Sequence, residues 1–298
     1  MKLGIIPNTS KQNIVEVVEQ IIKKFEAGNF KCSFSQDFFK IVKSNKNFSG
    51  YSFQSHEELF SKNDLIVSIG GDGTLLTTSY DGRNYSTPML GINFGKLGFL
   101  AEYEINNIDR LITELKNGEY VIEERMTLQG ACSDESEATF FAINDIVIDR
   151  GHWPKMIDIE LLVDDKYVST FSADGIIIST PTGSTGYSLS VGGPVVNPIA
   201  KAITISPISP HTLTIRPLVI ADTQKILIRV KSEQKNIHVS CDGQRVTHHR
   251  SPKEFSISSS KTSIKLLRTK STSYYDILRK KLYWGVDIRQ NTIKEQSE

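Results

Sequence analysis

The stretch from Asp64 to Leu76, DLIVSIGGDGTLL, constrains the fold more than any other part of this sequence. It opens with a continuous apolar run, Leu65 to Ile69, of the kind found in a parallel strand that is covered on both faces. Glycines around Asp72 follow, and then leucines at the start of a helix-compatible pattern. The order predicts a strand, a tight turn and a helix. In open α/β sheets, ligands bind at the carboxyl ends of the strands, where this turn would lie.

The glycine turn itself has two interpretations. Gly71 and Gly73 allow close approach of the backbone to a phosphate or a ribose, with Asp72 held at the ligand. Alternatively, this is an ordinary turn in which Asp72 caps the helix. The motif alone leaves both interpretations open.

Length, charge and cysteine usage bound the class of protein. The 298 residues are enough for about two domains with a sizeable core, and the formal net charge of +1 gives no general attraction for nucleic acid or an anionic membrane. No run of about 18 apolar residues is present, and MKLGIIPNTS turns polar too early for a signal peptide. Cys32, Cys132 and Cys241 are scattered, which is typical of reduced thiols. We therefore expect a cytoplasmic protein without nucleic-acid or membrane partners.

Residues 1–118 are predicted to form a parallel α/β domain, because strand and helix patterns alternate along them. Strands are expected at Lys2 to Pro7, Phe30 to Phe34, Leu65 to Ile69 and Pro88 to Asn93. A first helix, capped by Ser10, would bury Ile14, Val17, Val18, Ile21 and Phe25. Further helices are expected near Ser55 to Ser61, from the glycine turn to Tyr80–Gly82, and from Ile105 to Leu115, where Asn117-Gly118 ends the pattern.

Residues 119–270 are predicted to form a β-rich domain, a sandwich or layered sheets, because short strand patterns alternate with Gly, Asn, Asp and Pro turns. The expected strands are Glu123 to Ala131, Thr139 to Asp149, Asp158 to Val163, Lys166 to Phe171, Gly175 to Ser179, Thr212 to Ile215, Lys225 to Val230, Ile237 to Cys241, Glu254 to Ser258 and Ser263 to Leu267. The exception is Thr180 to Ala202, a loop that runs into a helix-like pattern. Residues 271–289 are expected to pack back on the first domain through a helix-like segment, and 290–298 to form a disordered tail.

Three more stretches carry residues suited to chemistry. Asn144 and Asp145 interrupt an apolar strand, which is unfavourable unless one or both bind something, and the alternative is a β-bulge or turn. The segment Thr180 to Ser190 is dense in hydroxyls and glycines and offers donors to a phosphate, but no GK[ST] follows, so it is not a Walker A loop. Val239 to Gln244 (VSCDGQ) by itself predicts only a β-turn.

Taken together, these motifs resemble those of the NAD kinase family. In the family's order they are GGDGT, GINFGKLGFL at 91–100, the Asn-acidic pair, DGIIISTPTGSTGYSLSVGGP, the late CDG turn and LRKKLYWG at 278–285. GGDGT is weak evidence by itself, since lipid kinases and phosphofructokinases use similar turns. TPTGSTGYSLSVGGP is far more specific. Asp145 stands where the family more often has Glu, and Gly186 where many members have Ala.

The resemblance implies a fold and a reaction. The fold is a Rossmann-like N-terminal domain and a β-sandwich-like C-terminal domain, with NAD in the cleft between them. The γ-phosphate of ATP moves to the 2′-hydroxyl of the adenosine ribose and gives NADP, with Asp72 as the base for that hydroxyl. Mg²⁺ is expected with the ATP, not in a protein-only site, and the assembly would be a homodimer or homotetramer.

The resemblance also implies which residues bind the nucleotides. Gly71, Gly73 and Thr74 would approach phosphates, and Leu76 and Phe99 would line the adenine site. Asn144 and Asp145 would hold ribose hydroxyls or the adenine. The nicotinamide end would be framed by Asp174, Thr182, Thr185, Gly186, Tyr187 and Ser190. Asp242 would lie near the phosphates or a metal.

Two other functions fit parts of the sequence. A lipid kinase of the diacylglycerol type shares the glycine–Asp turn, and a non-catalytic dinucleotide sensor would need no base. Polyphosphate remains open as a donor in place of ATP. His248-His249 and the basic run Arg279-Lys280-Lys281 are interpreted as surface residues, the latter as a solvated helix face.

Overall fold

The computed structural model describes residues 1–95, 97–132, 140–233, 236–271 and 273–285. The chain divides into two compact units, the first formed by residues up to Ile122 and from Leu266 onward, the second by Glu123–Lys265. The tail expected at 290–298 lies outside the described residues. Among the described residues, no helix has the length and apolar character needed to cross a membrane.

The described helices and strands follow in chain order. The helices are α1 (Ile14–Ala27), α2 (Gln36–Val42), α3 (His56–Lys62), α4 (Asp72–Asp81), α5 (Ile108–Asn117), α6 (Tyr187–Ser190) and α7 (Tyr274–Leu282). The strands are β1 (Lys2–Pro7), β2 (Lys31–Ser35), β3 (Ser52–Gln54), β4 (Leu65–Gly70), β5 (Met89–Asn93), β6 (Tyr103–Glu104), β7 (Tyr120–Arg125), β8 (Leu128–Cys132), β9 (Phe140–Ala142), β10 (Asp145–Asp149), β11 (Ile157–Val163), β12 (Lys166–Ala173), β13 (Gly175–Ser179), β14 (Ala202–Ile208), β15 (Leu218–Ala221), β16 (Ile226–Lys231), β17 (Asn236–Cys241), β18 (Arg245–Arg250), β19 (Lys253–Ser259) and β20 (Ile264–Thr269).

The first unit is built on one sheet in the order β3-β2-β1-β4-β5-β20-β7. Its neighbours β2, β1, β4 and β5 pair in parallel, as the alternating pattern predicts. Every residue of β4 is buried, which explains its continuous apolar run. The predicted face of α1 is also buried in the core. This parallel α/β architecture confirms the fold expected for the N-terminal half.

Several local details of the first unit differ from the sequence prediction. Ser10 does not cap α1: the helix follows Asn13, which has a left-handed backbone and no side-chain cap bond, and Ser10 donates its hydroxyl hydrogen to Asn8 instead. The short elements α2 and β3 were not predicted, because seven and three residues are too few to show a clear period. Ser55 does cap α3, where it forms a capping box with Glu58.

The second unit is a sandwich of two six-stranded sheets, β15-β14-β13-β10-β17-β18 and β12-β11-β16-β19-β8-β9. The strand pairs described within them are antiparallel, and alternate apolar residues of both sheets share one core. The predicted β-sandwich-like fold is therefore confirmed.

Three strand predictions and one helix prediction in this unit need correction, and three strands were not predicted. Thr212 to Ile215 is a turn and loop, while β14, β15 and β18 were not predicted. Glu123 to Ala131 is two strands, β7 and β8. The predicted strand Thr139 to Asp149 bends at Ile143-Asn144, and its two parts, β9 and β10, belong to different sheets. The helix expected after Thr180 is only a 3₁₀ turn followed by the single turn α6.

Candidate functional site

The glycine turn of the first unit lies where β4 ends and α4 begins. Asn8, just after β1, donates a hydrogen bond from Nδ2 to Thr74 Oγ1 over 2.9 Å. The amide of Phe94, just after β5, donates to the carbonyl of Gly70 over 2.7 Å. The carboxyl ends of three parallel strands therefore converge on this turn, as the general rule for ligand sites in open α/β sheets requires.

Asp72 is the first residue of α4, and its carboxylate is held by a distant loop. The amide of Phe99 donates to Oδ2 over 2.8 Å, and the amides of Leu100 and Ala101 donate to Oδ1 over 3.1 and 2.9 Å. Gly71, not Asp72, occupies the N-cap position. The interpretation of Asp72 as a helix cap is therefore wrong, and its carboxylate is fixed in direction by three backbone donors.

Close approach of this loop depends on Gly98. A Cβ atom added at Gly98 would lie 1.8 Å from Asp72 Oδ1, a distance that no side chain could occupy. Sequence reasoning missed Gly98, Leu100 and Ala101 as partners of Asp72. The only signal for them was the glycine-bearing stretch GKLGFL after the next strand.

The two residues expected at the adenine differ in accessibility. Leu76 is buried in α4, and Phe99 is half-buried. The ammonium of Lys281, in the last turn of α7, lies 4.7 Å from the centroid of the Phe99 ring. Residues 279–281 are all exposed, as expected for a solvated face, and Lys281 in addition contacts the candidate site of the first unit.

In the second unit, Asp242 shapes the bend that carries Asn144 and Asp145. Its Oδ1 accepts hydrogen bonds from the amides of Ile143, Asn144 and Asp145 over 2.9, 2.6 and 3.3 Å. Its Oδ2 accepts one from Arg245 over 2.7 Å. The predicted β-turn is present, and positive φ angles of 54° at Asp242 and 65° at its following glycine match a hairpin turn of type I′.

The bend presents two unusual polar groups. Asn144 Oδ1 is buried and has no hydrogen-bond partner among the described residues. Burial of Asp145, together with the nearby charge of Asp242, raises the pKa of the Asp145 carboxyl to about 7. Buried acceptors without donors are costly, and strongly shifted carboxyls are enriched in functional sites, so both features make the bend a candidate ligand contact. The alternative of a bend is correct as local structure, and it does not exclude binding.

The hydroxyl-rich segment sorts into inward and outward groups. Three hydroxyl residues of the segment are buried and use their hydroxyls internally. Thr180 donates to the carbonyl of Ile143, Ser184 donates to the carbonyl of Pro181, and Ser188 pairs with the hydroxyl of Ser206. A Cβ atom at Gly183 would lie 2.2 Å from the carbonyl oxygen of Asn144, so this glycine seats the segment on the bend.

The predicted binding residues of this segment form the other group. Thr182 is buried, with Arg125 Nη1 at 3.5 Å, and Thr185 is half-buried. Gly186, Tyr187 and Ser190 are exposed. The residues that the sequence predicted to bind NAD are thus mainly those that do not use their polar groups in hydrogen bonds within the segment.

Within one chain, Asp174 lies at the opposite end of β13 from the hydroxyl segment. It precedes β13, whereas the hydroxyl segment follows it, and the 5 residues of the strand at about 3.3 Å each separate the two ends by about 16 Å. Its Oδ1 accepts a hydrogen bond from Arg150 Nε over 2.6 Å. Asp174 therefore lies at the opposite end of β13 from Thr182 and Tyr187, and its expected place at the nicotinamide end stays a prediction.

Histidines and acidic residues form no group suited to a metal ion within the described part of the chain. His248 is exposed, as expected, but His249 is half-buried and lies 3.3 Å from Cys132 Sγ through Nδ1. The surface interpretation of the histidine pair is thus correct only for His248.

Comparison with known proteins places the chain in a family. Residues 3–120 match the model of the ATP-NAD kinase N-terminal domain, and residues 143–269 match that of the ATP-NAD kinase C-terminal domain. An NAD kinase of Christiangramia forsetii is 37% identical over 294 residues, which cover 97% of this chain and 100% of the relative. One from Thermoanaerobacter sp. strain X514 is 36% identical over 283 residues, covering 94% and 98%.

Solved structures show the same fold. Yeast NADH kinase complexed with NADH superimposes with a TM-score of 0.85 at 23% identity, covering 98% of this chain and 90% of that one. An NAD kinase from Archaeoglobus fulgidus in complex with ATP gives 0.70 at 26%, covering 91% and 95%. Domain models and relatives together define a kinase with an α/β N-terminal and a β-rich C-terminal domain. The chain belongs to the NAD kinase family, which confirms the resemblance carried by its motifs.

Proposed function

We propose that this protein transfers the γ-phosphate of ATP to the 2′-hydroxyl of the adenosine ribose of NAD, and releases NADP and ADP. The observation that carries the proposal is the Asp72 carboxylate, held by three amides where β4 ends. Family membership and the relatives' names support NAD as acceptor and ATP as donor.

Asp72 supplies the base that this reaction needs. A carboxylate has about four lone-pair positions, and the three amide hydrogen bonds leave capacity for one more donor. The 2′-hydroxyl would donate to that position, and its proton would pass to Asp72 as the new oxygen–phosphorus bond forms and ADP leaves. Phosphoryl transfer needs little other covalent help from a protein, so positioning accounts for most of the catalysis.

Other residues of the first unit would bind the nucleotides. Gly71 and Gly73 would let phosphates approach the start of α4, a ten-residue helix whose N-terminal amides favour anions. Thr74 would stabilise the turn, because its hydroxyl oxygen already accepts from Asn8. Phe99 would present its ring to the adenine, and Leu76, which is buried on α4, would line the same site.

Residues of the second unit would bind NAD through the bend and the hydroxyl segment. Asn144 Oδ1 and Asp145 would receive the ribose hydroxyls or the adenine amine, which would satisfy the buried acceptor. Tyr187 and Ser190 would contact the nicotinamide end, together with Thr182, Thr185 and Gly186. We assign Asp242 to positioning the bend instead of contacting phosphate or metal, because its bonds go to residues 143–145 and Arg245.

The remaining parts of the proposal concern the ion, the assembly and the cell compartment. Mg²⁺ is commonly bound by substrate phosphates with one or two carboxylates, so it would enter the site together with ATP. When bound, it would neutralise charge on the moving phosphoryl group. We further propose domains at 1–118 and 119–270 with a C-terminal segment at 271–289, a homodimer or homotetramer, and a cytoplasmic location.

The reaction is tested by product analysis. The purified protein is incubated with NAD and Mg²⁺-ATP, and NADP is measured with an NADP-specific dehydrogenase. Diacylglycerol replaces NAD, and polyphosphate replaces ATP, in parallel reactions. Formation of NADP supports the proposal. Phosphorylated lipid without NADP would favour the lipid kinase, and NAD binding without any NADP would favour the sensor.

A further inference from the structure

The basic run at the end of α7 contains three cations in three different environments. Arg279 pairs with Asp276 on the same helix, and Lys280 is exposed without a described contact to the glycine turn. Lys281 places its ammonium 4.7 Å from the centroid of the Phe99 ring. Only this one of the three reaches the candidate site of the first unit.

Phe99 connects Lys281 to Asp72, because its ring contacts the lysine and its backbone amide contacts the aspartate. Its backbone amide donates to Asp72 Oδ2 over 2.8 Å, while its ring lies under the ammonium of Lys281. The ring is only half-buried, so packing alone restrains it weakly. A cation within about 6 Å of an aromatic centroid is attracted to the ring face and restrains its orientation.

We propose that Lys281 is a positioning residue of the nucleotide site, which fixes the ring of Phe99 as the surface on which the adenine of NAD stacks. This inference rests on the proposed function of Phe99. Because the ammonium takes one face of the ring, the purine would stack on the opposite face. The C-terminal helix therefore contributes to substrate affinity although none of its residues belongs to the glycine turn.

Lys281 should influence the affinity for NAD but not the rate of phosphoryl transfer. Three backbone amides hold Asp72 without help from the Phe99 ring. Removal of the ammonium should therefore loosen the adenine surface and leave the base in place. The expected result is a higher KM for NAD with an unchanged kcat.

The test compares Lys281→Met, Lys281→Arg and Lys280→Met in the full chain. Lys281→Met keeps an apolar stem and removes the charge, so KM and the calorimetric Kd for NAD should rise about two- to fivefold, the range of one exposed cation–π contact. Lys281→Arg should restore both values, since guanidinium also binds aromatic faces. Lys280→Met, the matched control one residue away, should change neither value.

A Phe99→Leu background shows whether Lys281 acts through the ring. There, Lys281→Met should have no further effect on the Kd. A persisting effect would mean that the lysine binds NAD directly, and would overturn the proposal. In the unmodified background, an unchanged Kd for Lys281→Met, or an equal effect of Lys280→Met, would also overturn the proposal. A tighter Kd for Lys281→Met would overturn it too, because it would mean that lysine and adenine compete for one ring face. Absence of NADP formation by the unmodified protein would instead refute the proposed function, while the Kd comparison would still decide the role of Lys281.

Discussion

The buried carboxyl of Asp145 should make the second unit less stable as the pH rises. Its pKa is raised from 3.8 to about 7 by burial and by Asp242. Because the folded state binds this proton more tightly than the unfolded state, the unfolded state gains relative stability once the proton is lost. The contribution is fully present below pH 3.8 and is lost as the pH rises through 7.

The magnitude follows from the size of the shift. About three pKa units at 1.36 kcal/mol each correspond to about 4 kcal/mol. Asp145→Asn replaces the carboxyl with a neutral group of similar shape, so it removes this penalty. The variant should therefore gain up to about 4 kcal/mol over the unmodified protein at pH 8, and much less at pH 4.5.

Urea unfolding at pH 4.5, 6, 7 and 8 measures this difference. The chain has 2 tryptophans, and a Trp284→Phe background leaves Trp153 as the reporter of the second unit. Asp165→Asn, at an exposed turn position, makes the same chemical change without relieving a buried charge. If the free-energy difference between Asp145→Asn and its parent stays constant across the pH series, or shrinks as the pH rises, the assignment of a raised pKa is refuted.

Two further substitutions test the supports of the site. Gly98→Ala would force a Cβ atom to within 1.8 Å of Asp72 Oδ1, and displacement of the base by about 1 Å should lower kcat about 100-fold. The control in steady-state assays is Gly50→Ala, where a Cβ meets nothing within 4 Å. Equal kcat values for the two variants would contradict the close approach at Gly98. Asp242→Ala leaves Arg245 and the amides of residues 143–145 without their acceptor, and should cost about 3 kcal/mol in urea unfolding. Asp222→Ala serves as its control, and a loss below about 1 kcal/mol would argue against the role of Asp242 in holding the bend.

Local sequence patterns predicted the parts of the fold that depend on short-range chemistry. The continuous apolar run of β4, the glycine turn after it and the end of α5 at Gly118 all follow from neighbouring residues. The positive φ of 69° at Gly118 is an example, since glycine adopts it without strain. The composition of the second half likewise predicted a β-rich unit, although not which strands share a sheet.

The contacts that shape the site are long-range, and the sequence did not predict them. Asp72 is held by amides that lie 27 to 29 residues away, and any residue type carries such amides. Asp242 reaches residues 97 to 99 positions away for the same reason. The strand β13, which separates Asp174 from the hydroxyl segment, was by contrast predicted from its own apolar run.

The proposed role of Asp72 as the base for the 2′-hydroxyl is tested most directly by the kcat of Asp72→Asn. An amide keeps the size and one acceptor oxygen of the carboxylate but cannot take up the proton. We predict that kcat for NADP formation falls about 100- to 10,000-fold, the usual contribution of a general base, while the calorimetric Kd for NAD stays within about twofold, which is well below the tenfold that 1.4 kcal/mol would represent. A kcat close to that of the unmodified protein, with NAD binding intact, would contradict the account.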